Sequence, residues 1–243
     1  MRYLLEVAYK GTRYAGSQAQ SNAHTIQSNI EDALAVIYRQ PVALTGSSRT
    51  DAGVHARQNF YHFDAPDIAV ENKHVYNLNA ILPNDIVIKN IKPVEPDFHA
   101  RFLATSRLYH YHIYQQPNPF RQELALYYPF TLDFGKLQEA AIVLMVYEDF
   151  TSFSKRNTQA HTRLCHIMQS QWVMEGDEWV YQVRANRFLR GMVRALVATM
   201  LQVGRGKITI AQFRKIIEGK DCTLADFSAP PHGLYLQQVS YLA

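Results

Sequence analysis

The stretch HIMQSQWVMEGDEWVYQVR at residues 166–184 decides the fold. Two runs rich in Trp, Val and Tyr flank Glu175-Gly176-Asp177, a tight-turn triplet, so the segment predicts a β-hairpin with strands at 166–174 and 178–184. A helix should follow from about residue 188 to 203. There Phe188, Met192, Val193, Ala195, Leu196, Val197, Met200 and Leu201 make most of its surface apolar, and Gly204 is the expected C-cap. Working outward, 107–115 alternates as a strand and 136–145 carries a helical pattern. A short amphipathic helix at 210–218 and a strand at 234–241 close the chain. The order is βαββα, an extra helix, then β.

The first 95 residues give the same order. A strand at 3–9 leads into a glycine-punctuated loop at 10–16. A helix capped by Thr25 follows, with Ile26, Ile30, Ala33, Leu34 and Ile37 at helical spacing. Strands are expected at 41–45 and 54–63, a short helix at 71–82, and a strand at 85–89. Duplicated βαββαβ order predicts an α+β fold of two similar ferredoxin-like (split βαβ) halves with antiparallel sheets, residues 1–95 and 96–243, meeting at a central cleft. Lys92-Pro93-Val94-Glu95-Pro96 is the nearest approach to a linker.

Composition narrows the partners. With 243 residues, 47% of them hydrophobic and 19% charged, the chain is neither disordered, collagenous nor coiled coil. Its 25 Lys+Arg against 21 Asp+Glu leave +4, which permits an anionic partner without requiring one. The charge is uneven. Arg184, Arg187, Arg190, Arg194, Arg205, Lys207, Arg214 and Lys215 occupy a stretch with no acid, whereas residues 61–100 hold six acids against three lysines. Arg187, Arg190 and Arg194 are spaced i, i+3, i+7, which on a helix would set three guanidinium groups along one face to track a phosphate backbone. Two cysteines, Cys165 and Cys222, give no disulfide framework and point to a reducing, cytoplasmic home. No apolar run reaches the roughly 20 residues of a membrane span, and the acid at Glu6 makes the N-terminus read as a strand and not a signal peptide. His55, His62, His99, His110 and His112 form no ligand motif, so no metal is expected; Cys165, near His161 and His166, reads as a buried strand cysteine.

The most unusual segment is Ser47-Ser48-Arg49-Thr50-Asp51-Ala52-Gly53-Val54-His55-Ala56, small polar residues around one carboxylate between two strands. From the loop alone, an Asx-turn at Asp51 outweighs catalysis. In the 107–113 strand, Tyr109 and Tyr111 should share one face and His110 and His112 the other.

Arg49-Thr50-Asp51-Ala52-Gly53-Val54-His55-Ala56 resembles the signature of the tRNA pseudouridine synthase A family, and the similarity runs over nearly the whole chain. The other matching segments occur in order. They are Tyr9-Lys10-Gly11, Arg13-Tyr14-Ala15-Gly16 with Gln18, Asn77 through Leu82-Pro83 with Asp85-Ile86, and Phe98-His99-Ala100-Arg101-Phe102 with Tyr109-His110-Tyr111. Asp149-Phe150-Thr151-Ser152-Phe153, Asn186 and Phe188 with Met192-Val193-Arg194, and Gly233-Leu234-Tyr235-Leu236 complete the set. The resemblance implies a cofactor-free isomerase that converts uridine to pseudouridine at positions 38 to 40 of the tRNA anticodon stem-loop. It also implies a homodimer, and makes the cleft an RNA-binding one. Carried over by motif, Asp51 is the nucleophile, Tyr109 stacks on the uracil, and Arg194 pairs with the catalytic aspartate and keeps it ionised. Arg49 acts where the flipped nucleotide leaves its stack, and Leu234 is a wall of the uracil pocket. Arg187 and Arg190 are the expected RNA-backbone contacts. Two positions depart from the family pattern: Ser48 stands for the usual Gly before the signature Arg, and Ser17 for Trp in the Gly-Trp-Gln segment. A non-catalytic RNA-binding or RNA-chaperone protein is the alternative; it would have no use for the Asp, Tyr and Arg set. A small-molecule glycosidase is disfavoured because such enzymes generally use two paired carboxylates.

Overall fold

In the computed structural model, which describes residues 1–65, 72–156 and 162–242, strands and helices mix in an α+β arrangement. The elements run β1 (Arg2–Tyr9), α1 (Ile26–Tyr38), β2 (Thr45–Gly46), β3 (His55–Asp64), α2 (Asn72–Ile81), β4 (Ile86–Val94) and β5 (Ala104–Tyr114). They continue with β6 (Leu126–Tyr127), α3 (Phe134–Val143), β7 (Ile167–Glu175), β8 (Glu178–Ala185), α4 (Met192–Gly204), α5 (Ile210–Glu218) and β9 (Leu234–Tyr241). The chain divides into two units, Met1–Thr105 with Tyr235–Ala243, and Ser106–Leu234. No helix among the described residues is long and apolar enough to cross a membrane.

In the first unit the strand order is β4-β1-β3, with β1 antiparallel to both neighbours. On the other edge of β3, β2 pairs antiparallel at Thr45↔His62, while β9 pairs parallel at His55↔Tyr235 and Ala56↔Leu236. Leu5, Val7, Tyr61 and Phe63 from the sheet and Ile26, Ile30, Leu34 and Leu78 from the helices make a fully buried core. As expected, Thr25 caps α1: its hydroxyl accepts the Ser28 N–H at 3.2 Å and the Ser28 hydroxyl accepts the Thr25 N–H at 3.2 Å, a reciprocal box. Pro93 is tolerated inside β4 because an edge strand can spare one N–H donor.

The strand expected at 41–45 is not there; only Thr45 and Gly46 join the sheet. The alternation is real, with Val42 and Leu44 buried, but the main chain is bonded elsewhere. The Leu44 N–H donates to the Glu31 carboxylate at 2.8 Å, and the Leu44 carbonyl accepts from the Gln27 amide at 2.9 Å, so side chains of α1 replace the ladder. The helix expected at 71–82 is α2; residue 71 lies outside the described residues.

In the second unit the hairpin forms where expected. β7 and β8 are antiparallel from Ile167↔Ala185 to Glu175↔Glu178, Gly176 takes the left-handed φ of 63°, and β5 lies antiparallel on the other side of β8. The following helix starts later than the pattern suggests. Gly191 has φ 75°, a left-handed conformation that interrupts any helical course from 188, so α4 begins at Met192. The Arg190 carbonyl accepts the Lys155 N–H at 3.0 Å and is thereby used outside the helix. Arg187 and Arg190 therefore precede α4 and do not share a helical face with Arg194. At the other end Gly204 is the last helical residue and not a left-handed cap. A Cβ there would stand 2.8 Å from Leu137 side-chain atoms, so the glycine serves helix packing, and the left-handed residue is Gly206 with φ 71°.

Glu31 also accepts from Gln27 at 2.9 Å, so it holds the β2 approach in place through two donors. Replacing it by alanine strands the Leu44 N–H and should cost about 1–3 kcal/mol. Urea unfolding of Glu31→Ala should show a lower midpoint with an unchanged slope.

Candidate active site

The loop between β2 and β3 is held almost entirely through its main chain. The Ser47 N–H donates to the Phe60 carbonyl at 2.7 Å, and the Ser48 carbonyl accepts the Asn59 amide at 3.0 Å. Thr50 is buried, and all of its polar groups are engaged. Its N–H donates to the Ser17 hydroxyl at 2.8 Å, its carbonyl accepts the Ser17 N–H at 3.1 Å, and its hydroxyl lies 2.8 Å from the Tyr9 phenol. Tyr9 in turn accepts from Asn59 at 3.3 Å, and burial pushes its phenol above the ordinary range, so it remains a hydroxyl. Asp51 follows, half-buried. Its carbonyl accepts the Val54 N–H at 3.2 Å across a turn in which Gly53 takes φ 77°. The turn is thus closed by main-chain atoms, and the Asp51 carboxylate is not part of its closing bond. Arg49, two residues earlier, is exposed.

The loop at 10–17 forms the other wall of this clamp. A Cβ on Gly11 would fall 2.0 Å from the Val54 carbonyl oxygen, so only glycine allows the two segments to approach this closely. The Gly11 N–H donates to His55 Nδ1 at 3.0 Å, which requires an unprotonated Nδ1, and the His55 ring packs 4.7 Å from Tyr235 of β9. The 10–17 loop is itself pinned to the start of β4. Lys10 N–H donates to the Asp85 carbonyl at 2.9 Å, and Arg13 and the Tyr14 hydroxyl both donate to the Asp85 carboxylate. Burial acts to raise the Asp85 carboxyl, but these two donors outweigh it and hold the group below the usual carboxylate range.

The other expected site residues lie in the second unit. Tyr109, on β5 opposite Val183, is buried, with its ring edge-on to Phe188 at 5.1 Å and 86°. Arg194, in the first turn of α4 and half-buried, donates from Nε to the Ala229 carbonyl at 2.6 Å, which fixes the guanidinium on the segment before Leu234. Tyr111, on the same strand face as Tyr109, is fully buried. Its hydroxyl donates to the Pro230 carbonyl at 2.8 Å, and burial raises its phenol despite the Arg194 charge. A Cβ on Gly233 would lie 2.8 Å from the Tyr111 ring, so that glycine lets the chain pass on into Leu234, itself buried. Arg187 is half-buried and Arg190 exposed, both in the turn ahead of α4.

On the opposite face of β5, His112 Nδ1 lies 2.7 Å from Glu178, whose carboxylate also receives Arg121 at 3.2 Å. Cys165 sits just before β7, not within it, and burial pushes its thiol up to about 11; His161 lies outside the described residues. Among the described residues no group of three His, Cys, Asp or Glu side chains is placed to hold a metal ion.

The sequence did not show how the Asp51 loop is held. Tyr9, Ser17, Arg13, Tyr14 and Asp85 were named only as parts of matching segments, and Asn59 not at all, yet Tyr9, Ser17 and Asn59 bond to the loop and Asp85 pins the 10–17 loop against it. Asn59 carried a signal, because an amide next to the aromatic Phe60-Tyr61 of β3 must be satisfied where it is buried, and it is fully buried.

A family model described as tRNA pseudouridine synthase matches residues 141–242. The tRNA pseudouridine synthase A of Parabacteroides distasonis is 47% identical over 241 residues, covering 99% of this chain and 96% of that one. That of Porphyromonas gingivalis is 47% identical over 244 residues, covering 99% and 97%, and that of Staphylococcus aureus strain Newman is 36% identical over 241 residues, covering 98% and 90%. The chain belongs to the tRNA pseudouridine synthase A family, a family of isomerases.

Because the Asp85 carboxyl is lowered in the folded state, its stabilising contribution is present above the unfolded value near 4 and lost as pH falls through the folded value. Asp85→Asn should lower stability by about 1 kcal/mol at neutral pH. The difference in Tm from wild type should stay constant from about pH 5 to 8 and shrink below about pH 4.

Proposed function

We propose that the protein isomerises uridine to pseudouridine at positions 38 to 40 of the tRNA anticodon stem-loop, with Asp51 as the nucleophile. The observation that carries this reading is the Asp51 turn. Its hydrogen bonds are made by main-chain atoms and by neighbours of Asp51, so the carboxylate is presented by a rigid loop without being used to build it. A structural Asx-turn would instead draw on that carboxylate.

The reaction breaks the C1′–N1 glycosidic bond, turns the uracil and joins C5 to C1′; C5 loses its proton and N1, freed from the sugar, gains one, so the product is an isomer of the substrate. Asp51 supplies the nucleophile, at the sugar C1′ or at the uracil ring. Tyr109 stacks on the uracil, and its phenol assists removal of the C5 proton. Leu234 is an apolar wall for the base, and Arg49 takes the space that the extruded nucleotide leaves. Arg194, by the role carried over from the resemblance, pairs with the nucleophile; with Nε already given to Ala229, its Nη donors are those an anion would engage. Arg187 and Arg190 contact the RNA backbone from the turn before α4.

The fold reading extends the same way. In the first unit β4-β1-β3-β2, all neighbours antiparallel, is the order of a split βαβ unit, which supports a ferredoxin-like half. In the second unit β5, α3, β7, β8 and α4 follow in the matching sequence. The enzyme works as a homodimer in the cytoplasm, needs no cofactor, and light scattering tests the stoichiometry.

The main test uses tRNA lacking the modification. Wild-type protein should convert the anticodon-arm uridines, and Asp51→Ala should leave them unchanged while still binding. 5-Fluorouridine-substituted tRNA should form a covalent or very slowly released adduct with the wild type only. Salt-dependent binding without turnover would favour the RNA-binding alternative. Arg187→Ala and Arg190→Ala should each weaken tRNA binding and reduce the salt slope by about 1, with kcat nearly unchanged.

A further inference from the structure

We propose that Ser17 is a positioning residue for the reaction: by holding both peptide groups of Thr50, it sets the direction in which the adjacent Asp51 presents its carboxylate. This rests on the reading of Asp51 as nucleophile. Ser17 is 1% exposed, so it meets no substrate, yet it makes three hydrogen bonds into this region. Its N–H donates to the Thr50 carbonyl at 3.1 Å, its hydroxyl accepts the Thr50 N–H at 2.8 Å, and its carbonyl accepts the Tyr61 hydroxyl at 3.2 Å.

The position of these bonds decides their effect. The Thr50 carbonyl belongs to the peptide plane that contains the Asp51 nitrogen, so fixing it fixes one end of the Asp51 backbone. The other end is fixed where the Asp51 carbonyl accepts the Val54 N–H at 3.2 Å. The Thr50 N–H, one plane earlier, has the Ser17 hydroxyl as its acceptor, and the Thr50 hydroxyl is tied to Tyr9. Gly16, with φ 106°, brings Ser17 into place, since a Cβ there would lie 2.8 Å from the Thr50 carbonyl oxygen. Removing one oxygen from Ser17 leaves a buried N–H without its acceptor next to the nucleophile, while the carboxylate, the stacking tyrosine and the basic residues keep their own contacts. A loosened nucleophile loop loses rate more than substrate binding, because alignment matters in the transition state.

The experiment measures kcat and KM of Ser17→Ala with unmodified tRNA, together with amide hydrogen exchange. The expected result is a kcat at least about ten-fold lower with KM within about two-fold of wild type. The Thr50 amide should exchange faster while β1 amides stay protected. Tyr9→Phe, which releases the Thr50 hydroxyl, should show the same kcat-selective loss to a smaller degree. Wild-type kcat in both variants would overturn the proposal, as would a loss of rate accompanied by equal loss of protection in β1, which marks general destabilisation. Asp51→Ala is run alongside. If it stays active, the nucleophile reading itself fails; if it is inactive while Ser17→Ala turns over normally, only the role of Ser17 fails.

Discussion

A buried main-chain N–H has to find an acceptor, and the first unit is organised around loops that meet this requirement without a β ladder. Leu44 uses Glu31 and Thr50 uses Ser17, and inside β3 the Phe60 N–H likewise uses a side chain, that of Asn59. Each acceptor comes from a side chain whose own position is set by α1, by the 10–17 loop or by β3. Had these loops been exposed, water would have satisfied them and they would have had no fixed geometry. Burial therefore converts irregular chain into a rigid support, and the Asp51 turn is its most constrained part.

That constraint explains what could and could not be read from residues alone. The helix at 26–38 and the hairpin at 167–185 were legible because their signals are local: a cap, a spacing, a turn triplet between aromatic and branched runs. The segment 41–44 misled because alternation reports which side chains are buried, not where the main chain finds its partners. The start of α4 misled for a related reason. The spacing of Arg187, Arg190 and Arg194 was helical, but one glycine in a left-handed conformation overrode it. A glycine letter does not announce its sign of φ.

Of the candidate site, the sequence offers named residues but not the support around them. Asp51, Tyr109 and Arg194 are proposed because they sit in recognisable runs. Tyr9, Ser17 and Asp85 support the Asp51 loop through bonds that span 33 to 72 residues, and no local pattern encodes a partner that distant. Ser17 shows this most sharply. In the sequence it was a departure that removed an aromatic; in the fold it is buried and its hydroxyl is the acceptor for the Thr50 N–H.

The parallel pairing of β9 with β3 carries a consequence for how the protein is made. Residues 106–234 are contiguous, so the second unit can close as soon as it clears the ribosome. The first unit is synthesised earlier but lacks β9 until residues 235–241 have emerged, and until then the His55–Ala56 edge of β3 has no β9 ladder. His55 also packs on Tyr235, so the stretch just after the Asp51 turn gains this neighbour only after some 180 further residues have been made. Vectorial synthesis thus delays completion of the unit that carries the Asp51 turn until the second unit has been made.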